Sequence, residues 1–260
     1  MVARLTSAVV ALPFLAMAIW FGLPWLTILA VVMAALGSWE LARLASQGGA
    51  KSLFLMVPWA IALTLNGHFR ADHTLLILGA GLLMSLTWLL LRKTQEGALT
   101  NWALTVGGAL YIGLPLSFGL LLRSQEQGRE WLFFVVMVTF VTDAGAYFTG
   151  RLVGRRPLAP TISPNKTWEG ALGGFAVAVM AAVGATFFFP LPIPLWLGAL
   201  FGTALGIAGQ VGDLAQSALK RAVGAKEAGR LIPGHGGFLD RFDSAAFTLV
   251  LLFYLVRWAA

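Results

Sequence analysis

The sequence predicts an all-α, polytopic integral membrane protein with about nine transmembrane helices. Of its 260 residues, 58% are hydrophobic and 11% are charged, whereas soluble domains carry about 25% charged residues. The mean hydropathy is +0.82. Apolar stretches close to the ~20 residues that cross a bilayer recur along the whole chain. Such stretches fold as helices in lipid, because a helix satisfies its backbone hydrogen bonds internally.

Turns and charged loops divide the apolar sequence into nine stretches. In chain order we expect the spans at about 5–21, 25–44, 53–66, 74–91, 99–122, 130–150, 170–189, 195–213 and 244–258. The turn Gly22-Leu23-Pro24 separates the first two spans, and the third is short. Small residues in the segment 198–209 predict that helices approach each other closely there.

The amino-terminal 21 residues also have features of a cleavable signal peptide. Arg4 precedes an apolar run that contains Ala16-Met17-Ala18, a small-residue pattern found at cleavage sites. Nothing soluble follows this run, so we expect it to be retained as the first helix.

The positions of lysine and arginine predict the orientation of the chain, because short cytoplasmic loops are enriched in these residues. With nine spans, 14 of the 18 basic residues fall on the side that holds the amino terminus and the loops near 43–51, 92–97, 151–166 and 214–243. We therefore expect a cytoplasmic amino terminus and an external carboxyl terminus. This rule explains the net charge of +7 better than nucleic-acid binding does. The absence of cysteine excludes disulfides and thiolate chemistry.

Asp143 lies inside the sixth predicted span. Thr139, Asp143 and Tyr147 recur every four residues, so they share one helix face. A carboxylate at the centre of a span costs about 2.5–3.5 kcal/mol on insertion scales, and such residues usually face a bundle interior or a wet cavity. A buried structural pair with a basic residue is one explanation, and a wall of an active cavity is the other.

The segment 163–170 reads Ser-Pro-Asn-Lys-Thr-Trp-Glu-Gly. Ser163 as a cap and Pro164 in the first turn predict that a helix starts here. Lys166 on that first turn, beside free backbone N–H groups, would form an anion-binding corner. The alternative is an ordinary lysine at the membrane interface.

The stretch 217–243 combines opposite charges with glycines between two apolar runs. Asp240 and Asp243 share one face if a helix begins there, and Asp213 just upstream adds a third hard oxygen ligand of the kind that Mg²⁺ takes. Lys220, Arg221 and Arg241 are suited to bind phosphates. A solvated loop with juxtamembrane charges is the alternative, and His235 by itself is typical of a structural loop residue.

These residues resemble the signature of the phosphatidate cytidylyltransferases, also called CDP-diacylglycerol synthases. The matching positions are Ser217, Lys220-Arg221, Lys226-Glu227, Gly229, Pro233, His235-Gly236-Gly237, Asp240-Arg241 and Asp243. Glu227 departs from the family, which usually has Asp there. The segments 163–170 and 143–150 also resemble family motifs. The specific likeness covers about 139–247, and the first 130 residues match by hydropathy alone.

The resemblance implies transfer of CMP from CTP to phosphatidate, which gives CDP-diacylglycerol and pyrophosphate for phospholipid synthesis. It implies that Asp213 and Asp240 bind Mg²⁺, with Asp243 and Asp143 as acids for a second cation or as support for the first. The implied catalytic residues are Asp213, Lys220, Arg221, Asp240, Arg241 and Asp243, with Asp213, Asp240 and Asp243 as metal ligands. The implied substrate-binding residues are Asp143, Ser163, Asn165, Lys166, Ser217 and His235.

The implied setting is a bacterial inner membrane, with an active site on the cytoplasmic side and no nucleic acid as a partner. We divide the chain into residues 1–130, which provide a lipid groove or oligomer contacts such as those of a homodimer, and residues 131–260, the catalytic region with cytoplasmic loops 151–169 and 214–243. Two alternatives stay open. One is a cytidylyltransferase for another lipid phosphate, such as an isoprenoid ether lipid. The other is a cation-coupled transporter, for which an inverted repeat is expected and none is found.

Overall fold

A computed structural model describes residues 2–50, 54–91, 96–229 and 236–259, with side chains described from Leu12 onward. Within these ranges the chain forms nine helices: α1 (Val2–Phe21), α2 (Trp25–Gln47), α3 (Met56–His68), α4 (Thr74–Leu90), α5 (Ala98–Arg123), α6 (Gly128–Val153), α7 (Trp168–Phe188), α8 (Leu195–Ala222) and α9 (Leu239–Ala259). Two short strands, β1 (Pro157–Ala159) and β2 (Ser163–Thr167), connect α6 to α7. They pair as an antiparallel hairpin.

Six helices in the described ranges are long and apolar enough to cross a bilayer, namely α2 and α5 to α9. The predicted class, an all-α polytopic membrane protein, is therefore confirmed. Helix α3 has 13 residues and so rises only about 20 Å, less than the roughly 30 Å of hydrocarbon. Nine membrane crossings thus stay a prediction, although the described helices follow the predicted apolar stretches closely.

Helix α8 continues beyond its apolar part. The predicted span ends at Asp213, but the helix runs on to Ala222, so Ser217, Lys220 and Arg221 lie on a helix rather than in a loop. The expectation of a loop throughout 214–243 was wrong for these residues. Charged residues end a hydrophobic stretch without ending a helix, because lysine and arginine are good helix formers outside lipid.

The predicted helix start at Ser163 was also wrong. Ser163 and Lys166 belong to strand β2, and the helix begins at Trp168 with Thr167 as its N-cap. The Thr167 hydroxyl accepts a hydrogen bond from the Gly170 backbone N–H at 3.1 Å. Pro164 fits a strand that pairs on one side only, since it needs no backbone donor there. Lys166 is therefore not placed on a helical first turn.

The chain forms two compact units. The first comprises Met1–Ser124 with Ala222–Asp240, and the second comprises Gln125–Arg221 with Arg241–Ala260. In the first unit, α3 packs against α5 through small residues. A Cβ atom at Gly113 would lie 2.8 Å from the Ala60 carbonyl oxygen, and one at Gly67 would lie 2.5 Å from that of Ser117. Glycine at both positions therefore lets the two backbones touch.

In the second unit, glycines likewise let α7 pack closely against its neighbouring helices. A Cβ atom at Gly174 would lie 3.0 Å from the Thr142 carbonyl oxygen of α6. On the other side, a Cβ atom at Gly202 of α8 would lie 2.8 Å from the carbonyl oxygen of Ala178, which is fully buried. The close packing predicted for the segment 198–209 is thus observed. It fixes α6, α7 and α8 as a frame for the polar side chains described next.

Candidate active site

Three acidic side chains from three helices of the second unit come together. Asp143 is on α6, Asp213 is on α8, and Asp243 is in the first part of α9. Asp213 acts electrostatically on both other acids, and Asp143 also acts on Asp243. We call Asp143, Asp213 and Asp243 the acid cluster. Like charges repel one another, so the cluster is suited to binding cations.

The approach of α9 to α8 brings the cluster together. A Cβ atom at Gly212 would lie 2.6 Å from the Asp243 carbonyl oxygen, so only glycine next to Asp213 lets the two helices meet. On α6, the Thr139 hydroxyl lies 3.1 Å from the Thr248 hydroxyl of α9. Thr139 and Asp143 thus share a face that contacts α9, as their spacing predicted. Tyr147, the third residue of that pattern, is exposed.

Ser244 connects two members of the acid cluster. Its hydroxyl donates to Asp143 Oδ1 at 3.4 Å, and its backbone N–H donates to Asp243 Oδ1 at 2.8 Å. The side chain is buried, with 2% of its surface exposed. Sequence reasoning missed Ser244, although its place directly after Asp243 in the motif was a usable signal.

Lysine and arginine side chains surround the cluster. Lys166 Nζ lies 2.7 Å from Asp213 Oδ2, and both side chains are partly exposed. Lys166 and Arg241 also attract Asp143 electrostatically, and Lys220 attracts Asp243. Three basic side chains, Lys166, Lys220 and Arg241, thus lie near the three acids of the cluster in the second unit. This pattern suits an anion that carries its own cation, such as a metal-bound polyphosphate.

The remaining predicted residues on α8 have different places. Asp213, Ser217 and Lys220 are spaced four and three residues apart, so they follow one face of α8. Ser217 is half-buried on that face. Arg221 Nε donates to the Ile162 carbonyl oxygen at 3.1 Å. That bond ties the end of α8 to the turn of the hairpin.

Strand β2 separates Lys166 from two other predicted residues. Side chains alternate between the two faces of a strand, so Ser163 and Asn165 lie on the face opposite Lys166. Asn165 is exposed and Ser163 is half-buried. The strand therefore presents Lys166, which pairs with Asp213, on one face, and Ser163 and Asn165 on the other.

Asp240 bonds to the backbone of the first unit. Its Oδ2 accepts hydrogen bonds from the backbone N–H groups of Ala228, at 3.0 Å, and Gly237, at 2.9 Å. These bonds link the start of α9 to the two described ends of the loop that precedes it. Asp240 thus has a structural task, which sequence reasoning did not foresee for a predicted metal ligand. His235 lies outside the described residues.

Glu40 of α2 is a second acid in this region that sequence reasoning missed. Its side chain is fully buried, and Oε2 accepts a hydrogen bond from the Leu239 backbone N–H at 2.8 Å. Among the described residues, Oε1 has no hydrogen-bond partner. A Cβ atom at Gly229 or Gly237 would overlap the Glu40 carboxylate. An acid inside an apolar span was the signal that could have revealed Glu40.

The donor chemistry of the acid cluster suits a hard metal ion. Within the described ranges, no three His, Cys, Asp or Glu side chains form a complete metal-binding group by themselves. Mg²⁺ does not require such a group, because it usually keeps water and takes one or two carboxylates together with substrate phosphates. Asp213 and Asp243 are the pair that fits this description, with Asp143 beside them.

Comparisons with known proteins identify relatives of the chain. The model of the cytidylyltransferase family matches residues 2–259. A phosphatidate cytidylyltransferase of Bacillus subtilis (strain 168) is 37% identical over 261 residues, which cover 97% of this chain and 96% of that protein. The enzyme of the same name from Staphylococcus haemolyticus is 43% identical over 142 residues, 55% of this chain and 54% of that protein. The enzyme of the same name from Mycobacterium tuberculosis (strain ATCC 25618 / H37Rv) is 35% identical over 201 residues, which cover 73% of this chain and 61% of that protein.

A family match over nearly the whole chain, and an identity above 30% along almost the full length of a relative, leave one conclusion. The chain belongs to the cytidylyltransferase family.

Proposed function

We propose that the chain transfers CMP from CTP to phosphatidate and releases CDP-diacylglycerol and pyrophosphate. The observation that carries the proposal is the acid cluster with Lys166, Lys220 and Arg241 around it. The names of the relatives, each a phosphatidate cytidylyltransferase, support the choice of substrates. Its membrane-spanning helices suit a lipid acceptor.

The reaction joins two anions. A phosphate oxygen of phosphatidate forms a bond to the α-phosphorus of CTP, and the bond from that phosphorus to the bridging oxygen of the β-phosphate breaks. A phosphate monoester carries a charge of about −1.5 to −2 near pH 7, so its oxygen needs no strong general base. Repulsion between the reactants is the main obstacle, and fixed positive charge lowers it.

The basic residues around the acid cluster provide that charge. Lys166 is paired with Asp213 at 2.7 Å, and in the proposal a phosphate approaches this pair. Lys220 and Arg241 approach the cluster from α8 and α9. In the proposal these three side chains hold the phosphates of CTP and of the lipid, and Arg221 supports them from the end of α8. Ser163, Asn165, Ser217 and His235 stay predicted substrate-binding residues.

Magnesium is the proposed cofactor. Asp213 and Asp243 would hold it, with Asp143 available for a second cation, and Asp240 stays a predicted ligand. When bound, the ion neutralises phosphate charge and polarises the phosphorus–oxygen bonds. The residues of the chain have the separate task of orienting the two reactants.

A purified-protein assay tests the proposed reaction. With labelled CTP, phosphatidate and Mg²⁺, we expect CDP-diacylglycerol and pyrophosphate in equal amounts, and we expect no product when a chelator replaces Mg²⁺. An isoprenoid ether lipid phosphate should react more slowly. Full turnover in chelator would contradict the metal proposal. Product from the ether lipid alone would assign the chain to a related transferase, and no product from either lipid would contradict the transfer reaction.

The membrane orientation is a further part of the proposal. The charge distribution supports a cytoplasmic amino terminus and active site in a bacterial inner membrane. Homodimer formation stays a prediction. If all nine helices cross, a reporter fused to the carboxyl terminus lies outside the cytoplasm. Alkaline phosphatase, which is active only outside, should be active there, and green fluorescent protein should be dark. The reverse result would mean that one helix, with α3 the first candidate because of its 13 residues, does not cross.

A further inference from the structure

A pocket in the second unit lies next to the hairpin and outside the acid cluster. It has a volume of about 540 Å³ and is lined by Arg155, Arg156, Trp168, Glu169 and Leu172. We call it the hairpin pocket. Two arginines, one acid, an indole and an aliphatic side chain make a surface that is cationic on one part and apolar on the other.

The backbone around the two arginines is fixed by three hydrogen bonds. Glu169 Oε2 accepts from the backbone N–H groups of Arg155, at 3.0 Å, and Arg156, at 3.2 Å. The Trp168 backbone N–H donates to the Arg156 carbonyl oxygen at 2.9 Å. One carboxylate on the first turn of α7 thus holds both arginine backbones in place, and both arginines stay exposed. Two guanidinium groups that extend from one fixed stretch of backbone are suited to bidentate binding of a phosphate.

The apolar side of the pocket points to a lipid rather than a nucleotide. Trp168 is 54% exposed, and Leu172, one turn further along α7, is 64% exposed. Helix α7 is apolar enough to span a membrane, so its first turns lie where headgroups meet acyl chains. Tryptophan is enriched at that level, and basic pockets beside spanning helices bind anionic headgroups. A nucleotide would leave Leu172 uncovered, whereas an acyl chain would cover it.

We propose that the hairpin pocket binds the headgroup of an anionic phospholipid. Arg155 and Arg156 take the phosphate, Trp168 lies at the level of the glycerol backbone, and Leu172 contacts the first part of an acyl chain. Glu169 acts as a positioning residue, since its carboxylate accepts hydrogen bonds from the backbone N–H groups of both arginines. The pocket lining includes no member of the acid cluster, and along the chain Thr167 alone lies between Lys166 and Trp168.

Lipid binding to the full-length protein in detergent, without CTP, tests the proposal. The probes are dioctanoyl phosphatidate, dioctanoyl phosphatidylglycerol, dioctanoyl phosphatidylcholine and inorganic phosphate, with binding measured by native mass spectrometry. We expect the two anionic lipids to bind and phosphatidylcholine not to bind. Arg155→Gln and Arg156→Gln should each weaken binding of the anionic lipids by about tenfold, as expected when a charge-assisted hydrogen bond is lost. Leu172→Ala should weaken lipid binding and leave inorganic phosphate unaffected.

Arg151→Gln is the matched control. Arg151 is exposed on the last turn of α6 and donates to the Tyr147 hydroxyl at 3.0 Å, and it does not line the pocket. This variant removes the same charge and should bind lipid as the unaltered protein does. Equal lipid affinity in all variants would overturn the proposal, as would equal binding of phosphatidylcholine. Loss of inorganic phosphate binding with lipid binding intact would assign the pocket to free phosphates instead.

The assay contains no CTP and needs no turnover. Phosphatidylglycerol is not the proposed acceptor, so its binding reports on the hairpin pocket independently of the proposed transfer reaction. A variant that elutes as an aggregate is replaced by the lysine variant at the same position. Lysine keeps the charge and loses the bidentate fork, so we expect it to bind phosphatidate more tightly than glutamine does and less tightly than arginine. Binding by lysine no tighter than by glutamine would contradict recognition by charge.

Discussion

Asp213→Asn is expected to lower CTP-dependent turnover on the order of 100-fold or more, the scale on which loss of one group that stabilises transition-state charge is felt. Asparagine keeps the size of the side chain and removes the negative charge. That charge pairs with Lys166 at 2.7 Å and acts on both Asp143 and Asp243. The variant should therefore lose both a hard ligand for Mg²⁺ and the partner that holds the lysine.

Steady-state kinetics at several Mg²⁺ concentrations measures this effect. We expect kcat to fall more than the KM for CTP rises, and we expect the Mg²⁺ concentration for half-maximal rate to increase. Asp72→Asn is the matched control, because Asp72 is an exposed acid between α3 and α4. If Asp213→Asn keeps the turnover and the Mg²⁺ dependence of the unaltered protein, Asp213 is not a ligand of the proposed metal site.

Hydropathy predicted the helices well for a physical reason. Lipid leaves a spanning segment no alternative to internal hydrogen bonding, so an apolar stretch such as 195–213 identifies a helix by itself. The same signal does not report where a helix ends outside the membrane. Helix α8 continues to Ala222. The charged residues in its last turns indicate that the chain has left the hydrocarbon, but they do not indicate whether the helix has ended.

The prediction of a helix start at Ser163 failed because the same residues are compatible with a helix and with a strand. Ser163 and Pro164 suit the start of a helix, and they also suit a short strand with an unpaired edge. Pairing with β1, which starts at Pro157, decides for the strand, and Thr167 takes over the capping task. The sequence of the motif does not show which other segment of the chain it pairs with.

The candidate site was predictable in its chemistry and less so in its geometry. The motif pointed to Asp240 and Asp243, the position just upstream of the motif pointed to Asp213, and the isolated charge in a span pointed to Asp143. Their grouping depends on how α6, α8 and α9 pack, to which Gly212 contributes. The hydrogen bonds of Asp240 to Ala228 and Gly237 follow from the path of a loop, which no residue pattern gives.

Glu40→Ala is expected to destabilise the protein by about 1–3 kcal/mol, the cost of leaving a buried hydrogen-bonding group without its partner. Leu239 is buried, with 1% of its surface exposed, and its backbone N–H donates to Glu40 Oε2 at 2.8 Å. Alanine removes that acceptor and leaves the space beside Gly229 and Gly237 unfilled. The start of α9 should then be held less firmly, and turnover should fall together with stability.

Glu40→Gln separates the acceptor from the charge. Glutamine has the same length and keeps one carbonyl oxygen for the Leu239 N–H, so thermal unfolding in detergent should show a smaller loss than in Glu40→Ala. Glu126→Ala is the control: Glu126 is exposed between α5 and α6, and its loss should change stability by no more than about 0.5 kcal/mol. If Glu40→Gln is as damaging as Glu40→Ala, the negative charge rather than the acceptor stabilises the loop before α9. If neither variant differs from the unaltered protein, Glu40 does not anchor α9, and the glycines at 229 and 237 require another explanation.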